Sequence, residues 1–246
     1  MLVKNTLLRL AVLSALWAAS CQAGQQELVW SQSDGLRHEI YHSSSQDGVW
    51  AAPEKLTNDN ANKLHPAFAI APDSSRWIFW SAVNPDSISI SYIVGQDGKW
   101  SEPVKLEMQD LSAAIAPSVM IDKTGVVWLV WAGNNGGQDE IYWTRHAHSA
   151  WQKPQLINKA NQVPDIRPEI GHNEQGKLEV RWEGFRDGHY VPLLSTYTEG
   201  SWSLEEEFVQ EEEEQEVKPI LPEFVPKDSQ YVLLDVPMVG KEANAK

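Results

Sequence analysis

The chain has 246 residues, 42% of them hydrophobic, which is enough for one or two domains with a real core. Its formal net charge of −14 disfavours nucleic acid and anionic membrane surfaces as electrostatic partners. Cys21 is the only cysteine, so an intramolecular disulfide is excluded.

The first twenty residues have the pattern of a secretory signal peptide. Lys4 and Arg9 precede an apolar run, LAVLSALWAAS, that is too short for a permanent membrane helix. Removing residues 1–20 takes away these two positive charges and no acidic residue, so the net charge of −14 becomes −16.

The end of this segment, AASC, resembles the lipobox of bacterial lipoproteins, in which the cysteine becomes the lipidated N-terminus. The resemblance implies lipidation of Cys21 and an envelope protein held to the membrane by a lipid anchor. By the same resemblance, Gln22 after the cysteine favours the outer membrane. Ala18 stands where that family prefers leucine, and cleavage after Ala23 is the alternative, which implies a periplasmic or secreted protein.

The rest of the chain is an internal repeat of about 50 residues. One series of tryptophans follows a turn: Trp50, Trp100, Trp151 and Trp202. A second series ends β-branched segments: Trp30, Trp80, Trp131 and Trp182. A series of prolines opens a further segment: Pro66, Pro117, Pro168 and Pro222. Three independent markers with one period indicate a repeated structural unit.

Each repeat contains four short alternating segments separated by turn signals, including QDG, which supplies positive φ. The sequence therefore predicts an all-β fold, a β-propeller of four-stranded blades of about 50 residues over residues 24–208. The repeated tryptophans are expected to form the layers between blades. Trp143 breaks the period, and we expect it to be exposed.

The number of blades stays open at this stage. The first repeat lacks its first strand, and LPEFVPKDSQYVLLDV near the C-terminus copies strands one and two. We expect residues 219–238 to close the propeller by completing the first blade, with one strand left over. Four blades, five blades and an open arc closed by a second subunit, hence a homo-oligomer, are the alternatives. Residues 209–218 are predicted to be an acidic linker and 239–246 a disordered tail.

The turn Ser45-Gln46-Asp47-Gly48-Val49-Trp50 resembles the Asp-box of sialidase-type, BNR-like propellers, although it has one residue fewer between glycine and tryptophan. This resemblance covers roughly residues 27–208. A catalytic sialidase would imply three arginines, a tyrosine–glutamate nucleophile pair and an aspartate acid. Arg167 stands where one such arginine could, but the equivalent positions hold His65, Ala116 and Leu221. We therefore expect a non-catalytic member of this family, with no cofactor.

Polar loops that differ between repeats are expected to gather at one end of the propeller, which is a usual place for recognition. The candidate partner-binding residues there are Arg37, His38, Asp139, Glu140, Arg167, Arg186, Asp187 and His189. The first hypothesis is binding or scaffolding of another envelope protein. The second is a glycan-binding lectin and the third a glycoside hydrolase. No metal site is expected, and His146 and His148 are interpreted as solvated.

Overall fold

The computed structural model describes residues 24–108, 111–209 and 219–236, and every regular element in these ranges is a β-strand. Over these ranges there is accordingly no helix able to cross a membrane. Cys21, the predicted signal peptide, most of the predicted acidic linker and the predicted tail lie outside the described residues.

The strands form four sheets in chain order. Sheet 1 begins with β1 (Gln25–Ser33), β2 (His38–Gln46), β3 (Val49–Trp50) and β4 (Glu54–Lys55). Sheet 2 contains β5 (Asn62–Ile70), β6 (Arg76–Asn84), β7 (Ser87–Gln96), β8 (Lys99–Trp100) and β9 (Val104–Lys105). Sheet 3 contains β10 (Ala113–Ile121), β11 (Val127–Asn134), β12 (Asp139–Ala147), β13 (Ala150–Trp151) and β14 (Gln155–Leu156). Sheet 4 contains β15 (Asp165–His172), β16 (Leu178–Arg186), β17 (His189–Thr198), β18 (Ser201–Trp202) and β19 (Glu206–Glu207). The last strand is β20 (Gln230–Val236).

The four sheets share one strand order. Three long antiparallel strands are followed by two short outer strands, which both pair with the third long strand. The outer pair is the fourth strand of the sequence prediction, interrupted by a short loop. In sheets 1–3 this loop contains a proline (Pro53, Pro103 or Pro154), which cannot donate to the ladder, whereas sheet 4 has the same interruption without a proline. A single parallel bridge between Ala113 and Ile88 joins sheets 2 and 3.

The C-terminal strand belongs to sheet 1. β20 runs antiparallel to β1, from Gln25 opposite Val236 to Ser31 opposite Gln230. It takes the place that β5 has in sheet 2. The expectation of two C-terminal strands with one left over is wrong, because the described residues 219–229 form turns and irregular backbone.

The predicted tight turns are present between the third long strand and the first outer strand. Asp47 and Gly48 have φ of 53° and 77°, and Asp97 and Gly98 have φ of 51° and 73°. Positive φ at both central residues matches the twist of a two-residue hairpin. The residues that resemble an Asp-box are thus placed in a structural turn.

The cores lie between neighbouring sheets. Trp80 packs with Val29 and Ile40 between sheets 1 and 2. Trp131 packs with Phe79 between sheets 2 and 3. Trp182 packs between sheets 3 and 4 against a group that includes Val130 and Trp143. The prediction that the second tryptophan series forms layers between blades is confirmed for Trp80, Trp131 and Trp182, whereas Trp30 packs on the C-terminal segment instead of on a neighbouring sheet. The prediction for Trp143 is wrong, since it is 7% exposed and its ring stacks on Trp128 at 5.6 Å.

The two ends of the stack differ. The outward face of sheet 1 is covered by Leu221, Phe224 and Val225, which pack on Trp30. On the outward face of sheet 4, Arg181 occupies the position that valine or phenylalanine fills in the other three sheets, and its side chain is 55% exposed. A polar outer face is typical of a terminal repeat. The described residues form an all-β, propeller-like stack of four sheets.

Candidate functional site

Most of the predicted recognition residues lie in equivalent hairpins of sheets 1, 3 and 4. The side chain of Arg37 donates to the backbone oxygen of Asp59 and to Oδ1 of Asn60 at 2.7 Å. His38 is exposed, and its backbone N–H donates to Oδ1 of Asn62 at 3.0 Å. Arg37 therefore holds the connection between sheets 1 and 2 and is already bonded within the chain.

The hairpins of sheets 3 and 4 contain Asp139, Asp187 and His189. Asp139 accepts from the side-chain amide of Asn134 at 3.0 Å, which ties the β11–β12 turn. Asp187 has φ of 49° in the β16–β17 turn, and His189 follows it as an exposed first residue of β17. These residues lie at the edge of their sheets where the second long strand turns into the third, which we call the hairpin edge.

Arg167 lies apart from the hairpins, in a bulge of the innermost strand of sheet 4. The equivalent residues His65, Ala116 and Arg167 all have φ between 51° and 54°, just before the repeated proline. The side chain of Arg167 is 72% exposed and reaches Glu183 at 3.1 Å. Of the predicted arginines, Arg167 is the one whose guanidinium remains mostly open to solvent.

Arg186 and Glu140 meet at a charged cluster between sheets 3 and 4. Arg186 lies 3.0 Å from Asp165, which is fully buried, and 2.9 Å from Glu205. Glu140 is only 4% exposed, so a partner cannot contact it directly in this structure. A Cβ on Gly184 would lie 2.7 Å from Oδ1 of Asp165, so this glycine makes room for the cluster.

A second charged group, which the sequence analysis did not find, lies at the boundary of sheets 1 and 2. Glu27 is fully buried and accepts bonds from Nε of Arg76 at 2.7 Å to both of its oxygens. Nε2 of His42 lies 3.0 Å from the same carboxylate. Burial alone would raise the pKa of Glu27, but the hydrogen bonds from His42 and Arg76 outweigh it and lower that pKa.

This group borders an open cleft of about 220 Å³, which we call the Trp100 cleft. It is lined by Glu27, His42, Glu54, Arg76, Gln96, Lys99 and Trp100, among others. Nε1 of Trp100 donates to Glu54 at 3.2 Å across the sheet boundary. Gly95 lets the indole lie close, because a Cβ there would be 2.6 Å from the ring. The cleft thus joins an aromatic wall to charged hydrogen-bonding groups.

At the other two sheet boundaries, the position that corresponds to the Trp100 cleft is filled by aromatic rings. Between sheets 2 and 3, Trp77 and Tyr92 stack at 5.8 Å and Trp151 packs against both. His146 also belongs to this group, 5.1 Å from Trp77, so its interpretation as a solvated residue is wrong. Burial lowers the pKa of His146. Between sheets 3 and 4, Trp128, Trp143, Tyr197 and Trp202 form the equivalent stack.

One signal in the sequence could have revealed the Trp100 cleft. Trp77 and Trp128 stand three residues before the second-series tryptophans of repeats two and three, whereas Glu27 and Glu179 have that position in the first and fourth repeats. Of the three sheets that pack on a following sheet, sheet 1 is the one with a charged residue at this position, so its boundary is built differently. Within the described residues, no group of three His, Cys, Asp or Glu side chains is arranged to hold a metal ion.

The fold is similar to several solved structures at low sequence identity. A protein of unknown function from Dyadobacter fermentans DSM 18053 matches 76% of this chain with a TM-score of 0.60 and 11% identity. A mutant of AofleA from Arthrobotrys oligospora matches 87% of the chain with a TM-score of 0.52 and 14% identity. An ulvan lyase of polysaccharide lyase family PL25, bound to -[GlcA(1-4)Rha3S]-, matches 74% with a TM-score of 0.52 and 10% identity.

This chain spans 66%, 57% and 55% of the lengths of those three proteins. At such identities the similarity establishes the propeller-like fold alone. No protein-family model matches the sequence, and no curated protein matches it either. The propeller-like fold expected from the resemblance to BNR-like proteins is confirmed, whereas non-catalytic membership of that family stays a prediction.

Proposed function

We propose that this protein is a non-catalytic binding module that binds a glycan in the Trp100 cleft. The proposal rests on the boundary between sheets 1 and 2, which is built differently from the other two sheet boundaries. Sheets 2 and 3, and sheets 3 and 4, fill this place with stacked aromatic rings. A buried ion pair stabilises a fold poorly compared with apolar packing. The Glu27–Arg76 pair and the open cleft beside it are therefore better explained by binding than by stability.

The chemistry of the cleft suits a sugar ring. A pyranose has an apolar C–H face, which an indole such as Trp100 can cover, and a rim of hydroxyl groups. Glu54, Gln96 and Lys99 provide acceptors and donors for those hydroxyls along the cleft. Arg76 adds a guanidinium whose Nη2 side already bonds Glu27, so its orientation is set before a ligand arrives. The ulvan lyase of similar fold binds a glycan, which is compatible with this ligand class.

Binding of another envelope protein is the second candidate, and the exposure of Arg167 favours it. A guanidinium that is 72% exposed at an innermost strand could pair with an acidic group of a partner. Arg37 and Arg186 support this function less, because their donors are engaged within the chain. The glycoside hydrolase hypothesis has the weakest support, since Arg167 has only His65 and Ala116 as its counterparts in the other bulges.

The proposal includes an open arc of four sheets in the bacterial envelope. The apolar cover on sheet 1 and the exposed Arg181 on sheet 4 support two finished ends rather than a closed ring. The lipobox-like sequence supports a lipid anchor at Cys21. If that residue is acylated, Cys21→Ala should move the protein from the membrane fraction to the soluble fraction. An unchanged distribution would remove the anchor from the proposal.

A glycan array followed by calorimetric titration of the best glycans tests the binding function. Trp100→Ala should abolish binding, and Lys99→Ala should weaken it. Trp50→Ala is the matched control, because Trp50 has the same repeat position in sheet 1 but packs on the C-terminal segment. Both tryptophan variants lose one half-buried indole, so equal loss of binding would point to instability. A Trp100→Ala protein that binds the glycan like the wild type would refute the site.

A further inference from the structure

Two buried glutamates at equivalent positions face partners of opposite charge at two different sheet boundaries. Glu39 and Glu140 are each the second residue of their strands, β2 and β12. At the boundary of sheets 1 and 2, Nζ of Lys63 lies 2.8 Å from Glu39, and both side chains are fully buried. At the boundary of sheets 3 and 4 the position of Lys63, three residues before the repeated proline, holds Asp165. Glu140 therefore faces a carboxylate where Glu39 faces an ammonium group.

Arg186 does not replace the missing lysine for Glu140. Its guanidinium bonds Asp165 and Glu205, at 3.0 and 2.9 Å. Oε1 of Glu140 accepts from the backbone N–H of Asn161 at 2.8 Å. Oε2 of Glu140 is buried and has no hydrogen-bond partner among the described residues. A buried acceptor without a donor is costly, so this atom requires an explanation.

A second buried oxygen without a partner lies in the same cluster, on Asn158. The side-chain nitrogen of Asn158 donates to Oδ2 of Asp165 at 3.3 Å and to Glu205. Two carboxylates can accept only from that nitrogen, so the amide orientation is determined and Oδ1 is the remaining end. Oδ1 of Asn158 is buried without a partner in the described residues.

Sheet 1 indicates what these two oxygens do. Thr57 and Asn158 both lie seven residues after the tryptophan of the outer hairpin. Thr57 donates its hydroxyl to Oε2 of Glu39 at 2.6 Å. In sheet 3 the donor end of Asn158 is already used, so an equivalent bond between Asn158 and Glu140 would have to run from Glu140 to Oδ1 of Asn158. That bond requires a hydrogen on Glu140.

We propose that Glu140 is held as a neutral carboxylic acid that donates its proton to Oδ1 of Asn158, forming a proton-dependent clasp between sheets 3 and 4. One proton then satisfies both unpartnered oxygens. The groups that face Glu140 are Asp165 from β15, Arg186 from β16 and Glu205 from the segment before β19, with Tyr142 on its own strand. Two of the three that approach from sheet 4 are acidic, which opposes a charge on Glu140.

Electrostatics agree with this geometry. Burial, together with Asp165 and Glu205, raises the pKa of Glu140 from 4.5 to about 7, although the Asn161 N–H and Arg186 act in the opposite direction. A group whose pKa is raised in the native state contributes stability that is fully present below its pKa in the unfolded chain. That contribution is lost as pH rises through its pKa in the native state. Loss of the proton breaks the bond to Asn158 and loosens residues 157–164. This connection borders the hairpin edge of the sheets, where the predicted recognition residues lie, so the clasp couples that edge to pH near neutrality.

Thermal melting and amide hydrogen exchange at about pH 5.5 and about pH 8.5, on either side of this transition, test the clasp. In the wild type, the backbone amide of Asn161 should exchange several-fold faster at the higher pH after correction for base catalysis, and the melting temperature should be lower. Glu140→Gln keeps a permanent donor at Oε2, so both pH effects should disappear. A Glu140→Gln protein with the wild-type pH dependence would overturn the proposal.

Glu39→Gln is the matched control. It removes the charge of one of the two carboxylates that pair with Lys63, the other being Asp59 at 2.7 Å, and should lower the melting temperature at both pH values without changing the pH dependence attributed to Glu140. A direct measurement keeps the inference testable if the variants fold poorly. The side-chain carbon of Glu140, followed by NMR in wild-type protein, should titrate close to neutrality. Titration at the ordinary value of a glutamate would show that the clasp does not exist.

Discussion

Nη1 of Arg186 lies 3.0 Å from Oδ1 of Asp165, a carboxylate that is completely removed from solvent. This arginine was predicted from the sequence to bind a partner, yet its nearest anions belong to its own chain. The contrast with Arg167, which is 72% exposed, separates a structural guanidinium from an accessible one. That difference can be measured.

Arg186→Ala should destabilise the protein strongly, because it leaves Asp165 buried without its cation. We expect a loss of about 2–4 kcal/mol in the free energy of unfolding. At ~2–4 °C per kcal/mol, the melting temperature should fall on the order of 5–15 °C. Arg167→Ala removes an exposed pair and should change stability by only about 0–1 kcal/mol. Equal melting temperatures for the two variants would contradict the assigned roles.

Arg76→Gln should alter the response of the protein to acid. The pKa of Glu27 is lowered in the native state, so its stabilisation is present above the unfolded value of 4.5 and is lost as pH falls through the native value. Without the guanidinium, burial dominates and this contribution shrinks. At neutral pH the variant should be less stable by about 2–3 kcal/mol, since Arg76 is only partly buried.

Urea unfolding of the Arg76→Gln variant from about pH 3 to about pH 7 measures this effect. The difference in unfolding free energy between variant and wild type should narrow towards the acid end. Arg181→Gln is a suitable control, because it removes an arginine whose side chain is 55% exposed and whose carboxylate partner, Glu179, is elsewhere in the fold. A difference that stays constant with pH would show that Glu27 is not stabilised as a charged group.

Arg181→Val should make the protein associate with itself. The substitution gives the outward face of sheet 4 the apolar character that Val29, Phe79 and Val130 have at the buried boundaries. An exposed apolar sheet face tends to find a partner, so dimers or larger species are expected in light scattering after size exclusion. Arg181→Gln keeps the face polar and should leave the protein at its wild-type size. A Val variant of wild-type size would argue against the terminal role of this face.

A chain ending at residue 217 should fail to form a stable fold. The truncation removes β20 from the edge of β1 and uncovers Trp30, which packs on Phe224 at 5.6 Å. Both the strand edge and the apolar face of sheet 1 would be exposed, and aggregation is the expected outcome. Phe224→Ala tests the cover alone and should lower the melting temperature while β20 stays paired. A truncated protein that melts like the full chain would refute the role of this segment.

Much of the fold follows from the sequence because strands, turns and stacking are local or periodic properties. The recurrence of Trp30, Trp80, Trp131 and Trp182 predicts buried layers, and QDG predicts the hairpin turns. One wrong prediction also came from a periodic pattern, and it concerns a single residue. Trp143 was expected at the surface because it breaks the period, but its strand position points it at the neighbouring sheet, where rings from sheets 3 and 4 enclose it.

The candidate sites depend on contacts that no spacing predicts. Glu27 and Arg76 are 49 residues apart and meet only because β1 and β6 belong to adjacent sheets. Glu140 was selected as a loop charge, while the cluster that decides its protonation comes from β15, β16 and the segment before β19. A periodic hydrophobic pattern is enough to specify the repeat, since each sheet must bury its faces against the next. Which charges share a boundary is decided in three dimensions, because desolvation and Coulomb interactions depend on distance through space rather than along the chain.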